Sequence, residues 1–252
     1  KVDQAYPWGA KWTIVPECLE LDTEILHQFH DRSKIMMGIL PTGTVPHEPK
    51  QRLSSVFWSL PSHQLNNFLH NSQAYSDWLN QVSKRWKPAA DWLEQVIAQP
   101  EQKSQWLTAN YRDVVLSKFG EGRIGVMGDA AHAMSPQLGQ GANMALLDAW
   151  ALGQAVQSAR KNEALDYVQL WQTYHQHRQS STAFYQFLSR LLTPLYQSDL
   201  WWAGGLRDLS FAWMYRIPYF RKEMAVTISG LKLGMFSQMN YRDIAKQNNH
   251  SV

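Results

Sequence analysis

GRIGVMGDAAHAMSPQLGQGAN, the stretch from Gly122 to Asn143, decides the reading of this chain. Its apolar start, Ile124 to Met127, predicts a strand that ends at Gly128-Asp129. A loop containing Pro136 follows. Gly139-Gln140-Gly141-Ala142-Asn143 then opens a long helix. This order sets a carboxylate at the carboxyl end of a strand and bare backbone N–H groups at a helix start, both facing one small volume. Such a volume suits a polyhydroxylated ligand that carries a delocalised negative charge.

Each residue type has a physical reason. Gly128 permits tight backbone geometry at the strand end. Ala130 and Ala131 are small enough to let a ligand or a neighbouring backbone come close. An exposed Asp129 accepts two hydroxyl hydrogen bonds, charge-assisted and so stronger than neutral ones; by itself it is equally well read as the cap of a turn. The glycines at 139 and 141 tip the balance. A plain helix start uses Ser, Thr or Asp as its cap, whereas glycines leave the first N–H groups free and add them to the positive end of the helix dipole. His132, beside two alanines, reads as a satisfied structural residue in preference to an acid or base.

Just upstream lies a false match. Gly120-Glu121-Gly122-Arg123-Ile124-Gly125 fits the dinucleotide pattern G-x-G-x-x-G, but a true fingerprint follows a strand and opens a helix. Here the glycines lead into a strand, so the segment is read as a hairpin turn.

Outward from this stretch the chain changes character. Trp12–Val15, Ile35–Leu40 and Leu53–Leu60 read as strands, punctuated by Pro16, Pro41 and Pro61. Between them, residues 23–33 (Ile25, Leu26, Phe29) fit a short helix capped by Thr23 or Asp22. Residues 62–99 turn helical. Ser62 is the expected cap of a first helix, and Pro88 and Pro100 bracket a later one. Tyr111–Leu116 returns to strand. Beyond Asn143 three successive helices are expected, the third stopped by Pro194, and an apolar region with interspersed Arg and Lys follows at 201–236.

Composition narrows the function classes. The 252 residues are 44% hydrophobic and 18% charged with net charge +3, a globular profile with no basic run of nucleic-acid type. The twelve Trp are read as packing anchors rather than as a base-stacking platform. A single Cys, Cys18, excludes an internal disulfide framework and a Cys-cluster zinc site. It points to a packing residue in a reducing compartment, the cytoplasm. The His27/His30 and His175/His177 pairs lack convincing ligand partners, so no metal site is expected. No apolar run is long enough to span a bilayer, and no signal peptide is visible.

With these residues in view, the segment from Gly122 to His132, Pro136, and Gly139 to Asn143 closely resembles the second FAD-binding motif of the para-hydroxybenzoate-hydroxylase-like flavoprotein monooxygenases. Residues 6–12 and Phe57-Trp58-Ser59-Leu60-Pro61 resemble that family's substrate domain more loosely. The resemblance implies FAD as cofactor and NAD(P)H as transient cosubstrate. It implies hydroxylation of an aromatic or lipophilic small molecule with O2. Gly128 and Asp129 would serve the ribityl hydroxyls. The backbone of Gly139, Gln140, Gly141, Ala142 and Asn143 would cradle the pyrimidine end of the flavin, where reduced flavin carries negative charge. Pro136 would lie beside the isoalloxazine ring at the reaction centre. Met37, Phe57 and Trp58 are the candidate substrate contacts, with core packing an equal reading for each.

The family's βαβ unit with a true G-x-G-x-x-G, and its later Asp-Gly motif, have no counterpart in this sequence. The expectation is therefore a C-terminal part of an FAD/NAD(P)-binding fold, mixed α/β, inactive without an N-terminal half supplied in cis or in trans. Expected domains are a sheet-containing substrate lobe at 1–112, an FAD-binding segment at 113–160 and a helical region at 161–252. A non-catalytic fragment or pseudoenzyme, and a flavin-dependent halogenase or reductase, stand as alternatives. For residues 201–236, helices packed on the chain's own core or on a partner are preferred to an amphipathic surface for a membrane edge.

Overall fold

The computed structural model describes residues 2–18, 20–21, 24–69, 71–97, 105–161 and 164–239. It is a mixed α/β structure whose chain divides into two compact units. One holds Tyr6–Tyr111 and Pro194–Gly205. The other holds Arg112–Thr193 and Leu206–Val252 together with the first five residues.

The first unit is built on a five-stranded sheet. Its strands are β1 (Val2–Pro16), β2 (His27–Asp31), β3 (Ile35–Val45), β4 (Glu48–Pro61) and β5 (Leu107–Val115), in the order β2-β3-β4-β1-β5. The β2–β3, β3–β4 and β4–β1 pairs are antiparallel. Side chains alternate across the sheet, so Val15, Met37, Ile39, Val56 and Trp58 share one buried cluster. Helices α1 (Ser72–Arg85) and α2 (Lys87–Ile97) complete it with Trp78, Val82, Leu93 and Ile97. Burying a side chain of that size contributes about 1.5–3 kcal/mol each. Trp58, Trp78 and Trp106 meet edge to face at 5.6–6.0 Å, so these tryptophans are packing anchors. Cys18 is buried in the same cluster as a free thiol.

The helix expected at 23–33 is not there: His27–Asp31 is strand β2, in register with β3 from His27↔Ile39 to Asp31↔Ile35. Ile25, Leu26 and Phe29 fit a helical stripe, but hairpin pairing through Arg32 (φ 52°) provides backbone partners, and Phe29 stacks on Trp86 at 4.4 Å. Tertiary packing thus overrides a weak local pattern. The proposed caps Asp22 and Thr23, and the stop at Pro100, lie outside the described residues. Ser62 caps no α-helix; it begins a 3-10 turn, and α1 is capped by Asn71, whose side chain accepts the Ala74 N–H at 2.8 Å.

The second unit is mainly helical. After a small hairpin come α3 (Asp129–His132), α4 (Gly141–Ala159) and α5 (Tyr167–Tyr196). Then follow α6 (Ala203–Arg216) and α7 (Pro218–Ile228). Ala151, Ala155 and Ala159 of α4 sit in one buried cluster with Leu170 and Tyr174 of α5. Two expected helices, one around Leu165–Tyr174 and one around Phe184–Leu192, are one unbroken helix, α5. The polar run between them looked like a break, yet Arg178, Ser181 and Thr182 are buried and hydrogen-bonded. Pro194 lies within the last turn of α5.

Candidate functional site

The G-x-G-x-x-G look-alike is a hairpin. Strands β6 (Gly120–Glu121) and β7 (Ile124–Gly125) pair antiparallel around Gly122, which has φ +57°. Gly120 and Gly125 serve packing, whereas Gly122 serves the turn. A Cβ on Gly120 would lie 2.3 Å from the Trp171 ring, and one on Gly125 would lie 2.2 Å from it. Trp171 also donates its indole N–H to the Gly122 carbonyl at 2.9 Å. The expected strand through Met127 is shorter than its apolar run, ending at Gly125.

The chain then turns at Gly128, which has φ 59° and ψ −141°, a conformation open essentially to glycine alone. Its carbonyl accepts the N–H groups of Ala131 and His132 at 2.9 and 3.0 Å, starting α3. Asp129 is thereby placed at the exposed start of that short helix. Pro136 opens a 3-10 turn, also exposed, and Gly139 closes it in the left-handed region at φ 62°. Helix α4 begins at Gly141 with no side-chain cap. A Cβ on Gly141 would stand 3.9 Å from Asp129 Oδ1, and around Gly139 there is open space. The structure therefore brings Gly128, Asp129 and Gly141 to one place, with uncapped helix N–H groups beside a carboxylate.

Gln140 and Asn143 hold the turn together. Gln140 is buried, and its amide donates to the carbonyls of Ile228 at 2.7 Å and Leu138 at 3.2 Å. Asn143 donates to Gln140 Oε1 at 3.3 Å. Both side chains are thus engaged within the turn and with α7. The loop is held from α5 as well, where Ser189 Oγ donates to the Ser135 carbonyl at 3.0 Å.

Beneath the loop lies a buried polar centre. Asp148, on α4, is fully buried. Its Oδ2 accepts the Gly128 N–H at 2.7 Å and pairs with His132 Nε2 at 2.6 Å, and its Oδ1 accepts Arg178 Nε at 2.7 Å. An ionised carboxylate only accepts, so Nε2 of His132 carries the proton. Burial would raise the Asp148 carboxyl, but hydrogen bonds from His132, Arg178 and Gly128 outweigh it and hold the group below the ordinary carboxylate range. Burial and the nearby Asp148 charge push the Tyr174 hydroxyl strongly up. His132 is thus a satisfied structural residue, as its sequence context suggests. Asp148 and Arg178 escaped the sequence reading. A signal existed: Asp148 is the one charged residue in Gly141–Ala159, and it falls on the stripe Met144, Asp148, Ala151, Ala155 that turns inward.

The three candidate substrate contacts lie in the sheet unit. Met37 and Trp58 are register partners on the buried face, inside the hydrophobic cluster. Phe57 is half-buried on the opposite face, opposite Trp12 on β1 and with its ring over Gly38. Among the described residues no group of His, Cys, Asp and Glu side chains could hold a metal ion.

Comparison with known proteins agrees with this geometry. Residues 68–184 match the family described as FAD binding domain. Zeaxanthin epoxidase of Oncidium hybrid cultivar is 30% identical over 115 residues, which is 43% of this chain and 17% of that protein. Two solved structures share the fold. Pseudomonas aeruginosa PqsL, in complex with 2-aminobenzoylacetate, gives a TM-score of 0.64 at 17% identity, over 81% of this chain and 52% of that one. Klebsiella pneumoniae HpxO, complexed with FAD and uric acid, gives 0.64 at 16% identity, over 92% and 56%. The chain thus spans about half the length of these solved relatives. The likeness to these two structures shows the fold, and the match to an FAD binding domain lies within residues 68–184, which include the loop from Gly128 to Asn143.

Proposed function

We propose, from the FAD-binding family that residues 68–184 match, that this chain is part of an FAD-dependent monooxygenase. The reaction is hydroxylation of an aromatic or lipophilic organic molecule with NAD(P)H and O2. The observation that carries this reading is the cradle between Asp129 and the uncapped, glycine-opened start of α4.

The residues fit a flavin. The Asp129 carboxylate accepts hydrogen bonds from ribityl hydroxyls. The free N–H groups of Gly141, Ala142 and Asn143 suit the electron-rich pyrimidine edge, and the helix dipole favours negative charge there. Side chains at 139 and 141 would fill the space the ring needs, hence glycine at both. Bound flavin supplies the redox chemistry and the activation of oxygen, while the protein supplies placement and electrostatics. We assign Pro136 to the wall beside the ring, because it presents an apolar surface with no N–H donor. In the sheet unit, Phe57 is assigned to substrate contact through its half-open face, with Met37 and Trp58 forming the packed layer beneath it. The pocket for the adenosine half of FAD is assigned to a further FAD-binding half, in cis or in trans.

Flavin fluorescence titration of the purified chain tests the reading. Weak binding of FAD is expected, weakened roughly tenfold or more by Asp129→Ala, the loss of a charge-assisted pair of hydrogen bonds. Gly141→Val should weaken it as well. Affinity unchanged by both substitutions would overturn the assignment and favour a non-catalytic module. Once the complementary half is supplied, product mass measured with halide present separates hydroxylation from halogenation.

A further inference from the structure

The C-terminal helix pair is turned inside out for a water-facing surface. Helix α6 buries the charged Arg207 yet exposes Leu206, Leu209 and Trp213, at spacings of three and four that align on one face. Leu209 is 72% exposed and Trp213 56%. Arg216 continues the same stripe one turn on. Helix α7 buries no residue at all. At the bend between the two, Tyr215 and Tyr219 are each 64% exposed. Trp213 and Phe220 pack at 5.8 Å, Tyr219 meets Phe220 edge to face at 5.5 Å, and Arg221 lies over the Tyr215 ring at 5.9 Å.

Charge decides what such a surface fits. Arg216, Arg221 and Lys222 are exposed and enter no ion pair among the described residues. The two acidic side chains of these helices are engaged: Asp208 with Arg207, and Glu223 with Lys232. The surface is therefore aliphatic and aromatic at its centre and cationic at its edge. Trp and Tyr favour the boundary between hydrocarbon and water, and Arg and Lys extend their heads outward from an apolar bed. No helix among the described residues is long and apolar enough to cross a membrane, so these helices are suited to lie on one. We propose that α6 and α7 dock this protein onto the surface of a bilayer containing anionic lipid. The proposal stands apart from the flavin reading, since none of its residues belongs to the cradle at Asp129 and Gly141.

Co-sedimentation of the whole chain with vesicles tests it, using phosphatidylcholine alone and phosphatidylcholine mixed with phosphatidylglycerol. Binding is expected to favour the anionic vesicles and to weaken as salt rises. L209E/W213E should abolish binding to both. R221Q/K222Q should weaken binding to the anionic vesicles roughly tenfold or more, leaving the weak binding to neutral ones. Val168→Glu, at an exposed apolar position on α5, should leave binding intact. No sedimentation with either vesicle overturns the proposal, as does binding that L209E/W213E leaves unchanged. Concentration-dependent self-association that L209E/W213E removes, in a chain that ignores vesicles, would assign the surface to a second copy instead.

Discussion

Asp148 and Gly128 stand twenty residues apart in sequence, and the carboxylate of the first accepts the backbone N–H of the second at 2.7 Å. The same oxygen pairs with His132 and the other accepts from Arg178. The loop that presents Asp129 is thus fixed from below by a fully buried charge. Truncating that charge leaves the buried Arg178 guanidinium without its counter-charge and the Gly128 N–H without its acceptor. Asp148→Ala should therefore cost about 3–5 kcal/mol. A urea midpoint shift of that size is the expected outcome; a loss below about 1 kcal/mol would show that the centre is not a structural hub.

The same centre sets a pH dependence. The Asp148 carboxyl is held below its ordinary range in the folded chain, so the folded state binds its proton less readily than the unfolded state does. The stabilisation it contributes is complete above the unfolded value of about 3.9 and is lost as pH falls through the lower folded value. Thermal midpoints should accordingly fall with acidification below about pH 4. In Asp148→Asn that part of the slope should vanish, and an equal slope in both proteins would remove Asp148 as its source.

The motif was legible because its constraints are local. A positive-φ glycine, a carboxylate after it and two glycines before a helix each serve backbone geometry within a few residues, so one sequence displays them. The Asp148 centre was not legible, because Gly128 caps the short helix that ends at His132 while Asp148 and Arg178 lie on two others, and only folding brings them together. Strand β2 failed for a related reason: Phe29 and its neighbours owe their conformation to pairing with β3 and stacking on Trp86, neither of which is adjacent in sequence. The uninterrupted α5 was hidden by Arg178, Ser181 and Thr182, polar residues that read as surface until their buried partners are seen.

Gly128 carries the sharpest backbone constraint. Its φ of 59° with ψ of −141° excludes a Cβ on conformational grounds, although the nearest atom to such a Cβ, that of Ala145, stands at 3.4 Å. Gly128→Ala should cost about 1–3 kcal/mol from backbone strain alone. Because the strain falls on the turn that aims Asp129, flavin affinity should fall along with stability. Differential scanning calorimetry and a flavin titration on the same protein check both; a variant as stable as its parent would mean that the turn relaxes freely.

Trp171 and Gly125 form a pair whose energetics should not add. The indole occupies the place where a Gly125 side chain would begin, so Gly125→Ala must push the ring or the hairpin aside. Overpacking of this kind costs about 1–3 kcal/mol. Removing the ring in Trp171→Ala costs about 3–5 kcal/mol through lost packing and the lost bond to the Gly122 carbonyl. In the double variant the clash is absent, so the penalty of Gly125→Ala should largely disappear. A double-mutant cycle by urea unfolding measures the coupling, expected at about 1–2 kcal/mol in the direction of rescue. Strict additivity would mean that Gly125 is required for the hairpin's own backbone rather than for the room it gives Trp171.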